Sequence, residues 1–492
     1  MLVWMFTDER WSSARRFLYA GTLWALVALA YEALAAAQRA WPALLSEFPW
    51  ASHGRVVALS HDLWVFGFLS QLLVASALRV MGQTDREGIW SEPVAHLAVW
   101  LWNLAQALSW WWLSVGWTRG RPLAEAPWPV DGLRVLAALA LWWVVRNSLV
   151  RSSRREAGLA LVAVAFAGLP LVLVLGKGLF SPFDNPYHGL LDALSQAFLR
   201  AGLVWLWLVP LAGGVSLYVL SALTGRPGLS EGMGLSAVVG LVSFGALAGP
   251  AEFVWGPVPF WVQTVGTVAR GLLLLPAATL LAGVVRSLDG HWRSLGNHPG
   301  VVLTLAGWLA VFCGAAADAL ASLVGPSRLV HLSLWGEGVR VLLLTGAGAV
   351  AAGCVYLLTP HVLGRSLVSR AAAWRHLWLV VVGWSLSAPF LLLGGLVQGA
   401  VWVTGTVPFA HAVQAVRPLL GGGFVGLLVA WAAQGVFAWN VFLTADSGEP
   451  VPAAEQALAA GAGPDLPRAA QRAELRGRVR LLQQELAAVA GS

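Results

Sequence analysis

The chain has 492 residues, 58% of them hydrophobic and only 11% charged, with a mean hydropathy of +0.71. A soluble protein of this length has nowhere to hide so much apolar surface, which makes the bilayer the solvent. The net charge of +7 is scattered over loops and tail instead of forming one basic patch, so it argues against nucleic acid and for a membrane-surface bias.

The opening stretch, MLVWMFTDERWSSARRF, lacks a basic segment followed by a short cleavable apolar one, so the first apolar run is expected to stay in the protein. Runs of at least the roughly 18 residues that cross the hydrocarbon layer recur about twelve times. They fall near 16–38, 57–81, 94–116, 133–150, 157–176, 190–222, 233–249, 259–286, 300–324, 330–358, 374–402 and 415–443. Lipid offers no partner to an unpaired backbone group, so these runs are predicted to be helices. Pro210, Pro276 and Pro389 lie inside runs and are predicted to kink them. Tryptophan is abundant, 29 residues in all, and gathers near run ends, where an amphipathic ring suits the headgroup region. Cys313 and Cys354 sit in apolar runs with no zinc or disulfide spacing, and read as small packing residues.

Arginine placement predicts the orientation. Arg10, Arg15, Arg16, Arg79, Arg86, Arg146, Arg151, Arg154, Arg155, Arg286, Arg293, Arg365, Arg370 and Arg375 fall on one side, against chiefly Arg39, Arg55, Arg119, Arg121, Lys177, Arg328 and Arg417 on the other. The positive-inside rule then puts both termini in the cytoplasm. The membrane domain is expected over 1–444, a Pro/Gly/Ala-rich linker over 445–465 and an amphipathic cytoplasmic helix over 466–492. In that last segment Leu475, Val479, Leu482, Leu486 and Val489 form one apolar stripe, suited to a short coiled coil or to the membrane surface.

Three stretches carry a family resemblance. TRGRPLAEAPWPVDGL runs from Thr118 to Leu133, GLLDALSQAFLRAGLVWLWLVP from Gly189 to Pro210, and GALAGPAEFVWGPVPFWVQTVGTV from Gly245 to Val268. In this order and spacing they resemble subunit I of the heme–copper oxidases, closest to the branch of C-type oxygen reductases and bacterial nitric oxide reductases. The likeness extends from the second span to about Gly364. The first stretch resembles the family's YAE-x-x-WP loop: Ala124, Glu125, Trp128 and Pro129 match, while Leu123 replaces the tyrosine.

The resemblance implies an all-α, twelve-helix membrane bundle. It also implies two hemes and a copper held by six histidines, because a neutral imidazole suits both metals. This chain departs from the pattern at those positions. The copper ligands fall on Ala201, Ala251 and Glu252, and the helix-ten pair on Gly338 and Arg340. Of these residues only Glu252 could donate to copper, since arginine stays protonated. On helix two the heme-ligand position falls on Ser60, with His61 one place later as the one candidate heme ligand. The remaining histidines, His376 among them, mostly fall in loops or near run ends and form no metal spacing.

Charges in a membrane need partners. Glu252 and Arg340 are expected to pair across the vacated centre, with Glu337 as the alternate partner of Arg340. Arg270, Asp192, Arg200 and Asp318 are expected to pair locally or snorkel to an interface.

The expectation is a degenerate, non-catalytic subunit I-like protein of a bacterial cytoplasmic membrane, serving as subunit or scaffold of a respiratory-type complex. Two alternatives stand beside it: a divergent heme-binding oxygen or nitric oxide reductase, and an ion or proton conduit with Glu252 as carrier. No copper is expected, and at most one heme, through His61. The expected partners are membrane lipid and other respiratory-complex subunits, reached through the bundle or the C-terminal helix.

Overall fold

A backbone in hydrocarbon must satisfy its own N–H and C=O groups, and this chain does so as helix almost throughout. The computed structural model describes residues 11–83, 88–152, 156–178, 187–292, 298–405 and 407–451. The expected C-terminal helix, and all but the start of the expected linker, lie outside the described residues. Among those described there is no sheet, only an isolated bridge between Arg365 and Pro450.

Eleven helices are long and apolar enough to cross a membrane. They are α1 (Ser12–Ala40), α2 (His53–Met81), α4 (Trp128–Arg151), α5 (Ala157–Lys177), α6 (Gly189–Thr224), α7 (Glu231–Phe253), α8 (Phe260–Ser287), α9 (Pro299–Ser322), α10 (Trp335–Val362), α11 (Arg370–Val403) and α12 (Arg417–Ser447). Between α2 and α4 stands α3 (Glu92–Ser114), 23 residues long, whose His96, Asn103, Gln106, Ser109 and tryptophans lower its apolar character. Eleven helices therefore meet the span criterion, against the expected twelve, and α3 has the length for it. The last of them, α12, runs to Ser447, beyond the expected boundary at 444.

The helices pack mainly as neighbours in sequence, with α1 closing against α12 and α2 against α1. Helix α2 is the centre of the bundle: its apolar window is entirely buried, as is nearly all of that of α6. Arg79 and His361 share one face of the molecule, as do Arg365 and Asp446. The opposite face joins Arg417 to Ala40 and Arg55 to Ser114. These contacts put Arg79 and Arg365 at one face and Arg55 and Arg417 at the other.

Two interruptions lie just past Ser60 and Ala201. Helix α2 widens to π geometry over Leu63–Leu69, beginning three residues after Ser60, and α6 does so over Leu203–Leu208, two residues after Ala201. In α6 the cause is at hand, because Pro210 has no N–H to offer the carbonyl of Leu206. Pro276 follows a break at Leu273, where α8 ends one helical piece and begins another. Pro389 lies within α11, which continues as helix on both sides of it.

Apolar side chains gain little by leaving lipid for each other, so close approach of small residues supplies the packing. At the α9–α10 crossing, a Cβ added to Gly307 would lie 2.6 Å from the Gly346 carbonyl oxygen, and one on Gly346 would lie 2.8 Å from that of Gly307. Gly346→Leu should force the two helices apart. We expect a loss of about 1–3 kcal/mol or more, read as a fall of several degrees in the thermal unfolding midpoint in detergent.

Candidate functional site

The charged residues Glu252, Glu337 and Arg340 are held in ion clusters that are buried or part-buried. The first forms where α10 meets α1 and α2. Glu337 and Arg340 stand three residues apart on one face of α10, and Arg340 donates to Glu337 Oε2 from Nε at 2.9 Å and Nη2 at 2.6 Å. The other side of the guanidinium grips Glu32 of α1, with Nη2 to Oε1 at 2.6 Å and Nη1 to Oε2 at 3.2 Å. This is the two-pronged geometry in which arginine binds carboxylate most strongly. Glu32 is fully buried, and Arg39, two turns along α1, reaches Glu337 at 3.4 Å. The guanidinium also lies 5.6 Å from the Trp64 ring centroid, on the π segment of α2. Beside this cluster stands His61, whose Nε2 is closed to solvent and has no hydrogen-bond partner among the described residues.

The second cluster occupies the other side of α2. Asp62 accepts from Arg134 Nη2 at 2.7 Å, Ser109 Oγ at 2.8 Å and Gln106 Nε2 at 3.0 Å. Asp131, wholly buried, pairs with the equally buried Lys177 and, more loosely, with Arg119 at 3.7 Å and Arg134 at 3.8 Å. Phe66 lies under both cations, 4.2 Å from the Arg134 guanidinium and 5.1 Å from Lys177 Nζ. Trp64 and Phe66, two residues apart, thus face cations on opposite sides of one helix.

The third cluster ties α6, α7, α8 and α9 together. Glu252 accepts from Arg200 Nε at 2.9 Å and is paired with its Nη2 as well. Its other oxygen lies 3.8 Å from Arg270, which itself donates to Asp318 at 3.0 Å. Ala201 and Ala251 are buried beside it as plain methyl groups.

The expected Glu252–Arg340 pair does not form. Each residue found a nearer partner of opposite charge, and the two clusters share no member. Arg340 takes Glu337, its alternate partner, together with Glu32. Arg200, Arg270 and Asp318 do pair, but with Glu252 or each other across helices, and Asp192 pairs with Arg121 at 2.8 Å. Glu252 lies part-buried between Arg200 and Arg270. His376 also differs from expectation: it is fully buried inside α11, and neither ring nitrogen has a partner among the described residues.

Sequence reading missed Glu32 and the whole second cluster. Glu32 was legible as a lone carboxylate within the first apolar run. Lys177 was counted with the basic residues of one membrane face because it ends an apolar run.

Near the second cluster a cleft of about 490 Å³ opens between the start of α2 and the loop before α4, lined by His53, Arg55, Leu113, Thr118, Pro122 and Glu125. The Glu125 carboxyl is nearly buried, and its Oε2 has no partner among the described residues. Burial first, and the negative charge of Asp62 second, push this carboxyl up to about 8.

An all-helical membrane bundle with these stretches in this order defines the class as subunit I of the oxidase type. The family described as Cytochrome C and Quinol oxidase polypeptide I matches residues 12–429, and the chain belongs to it. The chain is 25% identical over 465 residues to the Cbb3-type cytochrome c oxidase subunit CcoN1 of Stutzerimonas stutzeri, covering 90% of this chain and 97% of that protein. It is 24% identical over 454 residues to a cytochrome c oxidase subunit 1 homolog of Azorhizobium caulinodans, covering 87% and 81% respectively. A similar homolog from Agrobacterium tumefaciens is 24% identical over 445 residues, covering 86% and 82%.

The residues at the expected ligand positions do not fit heme iron or copper. Ala201, Ala251 and Gly338 carry no donor atom, and Ser60 spends its hydroxyl on the Val57 carbonyl at 2.9 Å. Both oxygens of Glu252 face arginines, and the guanidinium of Arg340 is held by two carboxylates. Among the described residues, no three His, Cys, Asp or Glu side chains converge as a metal site. Between α1, α2, α10, α11 and α12 the structure leaves a cavity of only about 10 Å³, far too small for a porphyrin.

Two outcomes follow. Arg340→Leu strands the buried Glu32 and should cost about 3–5 kcal/mol, whereas Glu32→Leu/Arg340→Leu should lose less than the two single changes summed. Glu252→Leu combined with Arg340→Leu should instead be additive within about 0.5 kcal/mol in chemical unfolding, because the clusters are separate.

For Glu125 the sign is fixed by linkage. Between its ordinary value of 4.5 and about 8 the folded carboxyl keeps a proton that the unfolded chain releases, so it subtracts stability as pH rises through that window. Glu125→Gln should gain on wild type in thermal midpoint between pH 5 and pH 9, roughly the span of that titration. A constant offset between the two proteins would contradict it.

Proposed function

We propose that this chain is a non-catalytic member of the oxidase subunit I family, a membrane subunit or scaffold of a respiratory-type complex. The observation that carries the reading is Arg340. It stands at a helix-ten ligand position, it cannot ligate iron, and it is clamped between Glu32 and Glu337. The other positions support it, since no two of them supply a matched donor set. The relatives named above are subunits of cytochrome c oxidases, which supports assembly with other membrane subunits. We place the protein in a bacterial cytoplasmic membrane with both termini on the cytoplasmic side, following the arginine distribution.

A second reading, a divergent oxygen or nitric oxide reductase, is favoured by one feature: the unpartnered Nε2 of His61 on α2. A low-spin heme there would need a second axial ligand and a displaced Arg340. One experiment separates the two readings. Protein purified from its native membranes should give no pyridine hemochrome signal and no stoichiometric copper, and should co-purify with at least one other membrane subunit. A heme signal that disappears in His61→Ala would establish the second reading, and copper at one atom per chain would exclude the first.

A further inference from the structure

In the three ion clusters charge is met by opposite charge, but the cleft between the start of α2 and the loop before α4 holds two ionisable groups that are not so matched. One is the Arg55 guanidinium, whose hydrogen bond among the described residues runs from Nη1 to the Ser114 carbonyl at 3.2 Å. It lies against Gly116, at a φ of +88°, where an added Cβ would stand 2.3 Å from Nη2. Glycine at that place leaves the arginine its position. The other is the nearly buried Glu125 carboxyl, whose Oε2 is closed to solvent and unpartnered among the described residues. The cleft thus presents a cation and a carboxyl that do not pair with each other.

A ligand that meets both groups carries a cationic donor at one end and an anion at the other. The inner end suits a primary ammonium, which has hydrogens to give Oε2, whereas a quaternary ammonium has none. Arg55, the more exposed of the two, matches phosphate, with Ser52 and Thr118 beside it in the lining. Val57, Leu113 and Pro122 make much of the remaining wall apolar. Trp50, Trp111 and Trp117 are largely exposed on the segments that form the cleft, which sets it at headgroup depth. Its volume of about 490 Å³ falls within the roughly 300–1,000 Å³ of small-molecule sites. A divalent metal fits poorly, since one carboxyl shares the space with an arginine and Asp62 is spent on Arg134, Ser109 and Gln106.

We propose that this cleft binds the phosphoethanolamine headgroup of a membrane lipid, with its ammonium on Glu125 and its phosphate on Arg55. The inference goes beyond the scaffold reading and does not depend on it. Without a cation on Oε2 the Glu125 carboxyl keeps its proton up to about 8. Burial and then Asp62 push it up, while Lys177 and the backbone N–H groups of Glu125 and Leu123 oppose them. An arriving ammonium favours the carboxylate, so near pH 7 the carboxyl proton leaves to the buffer and the ammonium keeps its own. Binding should therefore release about one proton per lipid, and a lipid held by Arg55 alone should release none.

The test titrates the full chain, purified in detergent and stripped of lipid, with dioctanoyl phosphatidylethanolamine at pH 7. Calorimetry in two buffers of different ionisation enthalpy reads affinity and proton release together. The lipid should bind at least about tenfold tighter than dioctanoyl phosphatidylcholine, with about one proton released. Glu125→Gln, which should gain stability over wild type, should lose both the preference and the release. Arg55→Gln should weaken binding about tenfold and keep the release. Equal affinity for the two lipids, or unchanged release in Glu125→Gln, would overturn the proposal. Glycerophosphoethanolamine binding as tightly as the lipid would overturn the lipid source in favour of a soluble zwitterion. Calcium chloride displacing the lipid would overturn the assignment of Glu125 to an ammonium.

Discussion

The guanidinium of Arg340 is the constraint on which the centre of this bundle depends. Arginine cannot shed its proton to escape a low-dielectric site, so its charge must be met where it stands. Glu32 and Glu337 meet it, and in doing so they bind α1 and α10 across the edge of α2. Neither carboxylate has equivalent support without the arginine, because Glu32 is fully buried and Glu337 has, among the described residues, Arg39 at 3.4 Å besides.

The other clusters follow the same logic. Asp62, Asp131, Arg134 and Lys177 neutralise one another on the far side of α2, and Glu252, Arg200, Arg270 and Asp318 do so between α6 and α9. Such arrangements are not a strong source of stability, since removing charges from water costs nearly what pairing returns. What they give is specificity. Each carboxylate has one place to go, and a helix that slipped by a residue would strand it.

The membrane class, the family and most of the span positions were legible in the sequence, because apolar runs and motif spacing are local signals. The choice of partners was not. Glu252 and Arg340 were matched on the assumption that both face one centre, whereas Arg200, one turn before the π segment of α6, lies closer to Glu252 than anything on α10. Lys177 read as an interface residue because it ends α5, yet it is wholly buried on Asp131. His376 read as a residue near a run start, and only the packing of α11 against α10 and α12 shows that it faces the interior. In each case the missing knowledge was the rotation of one helix relative to its neighbours.

The central claim is that ion pairs occupy the place where the family holds its low-spin heme. The most direct measurement is an experimental density map of the purified protein in nanodiscs, read between α2 and α10. The account predicts the Arg340 guanidinium within hydrogen-bond distance of both Glu32 and Glu337, and no porphyrin between the two helices. A planar macrocycle at that place, with Arg340 turned away and His61 at the iron, would contradict it.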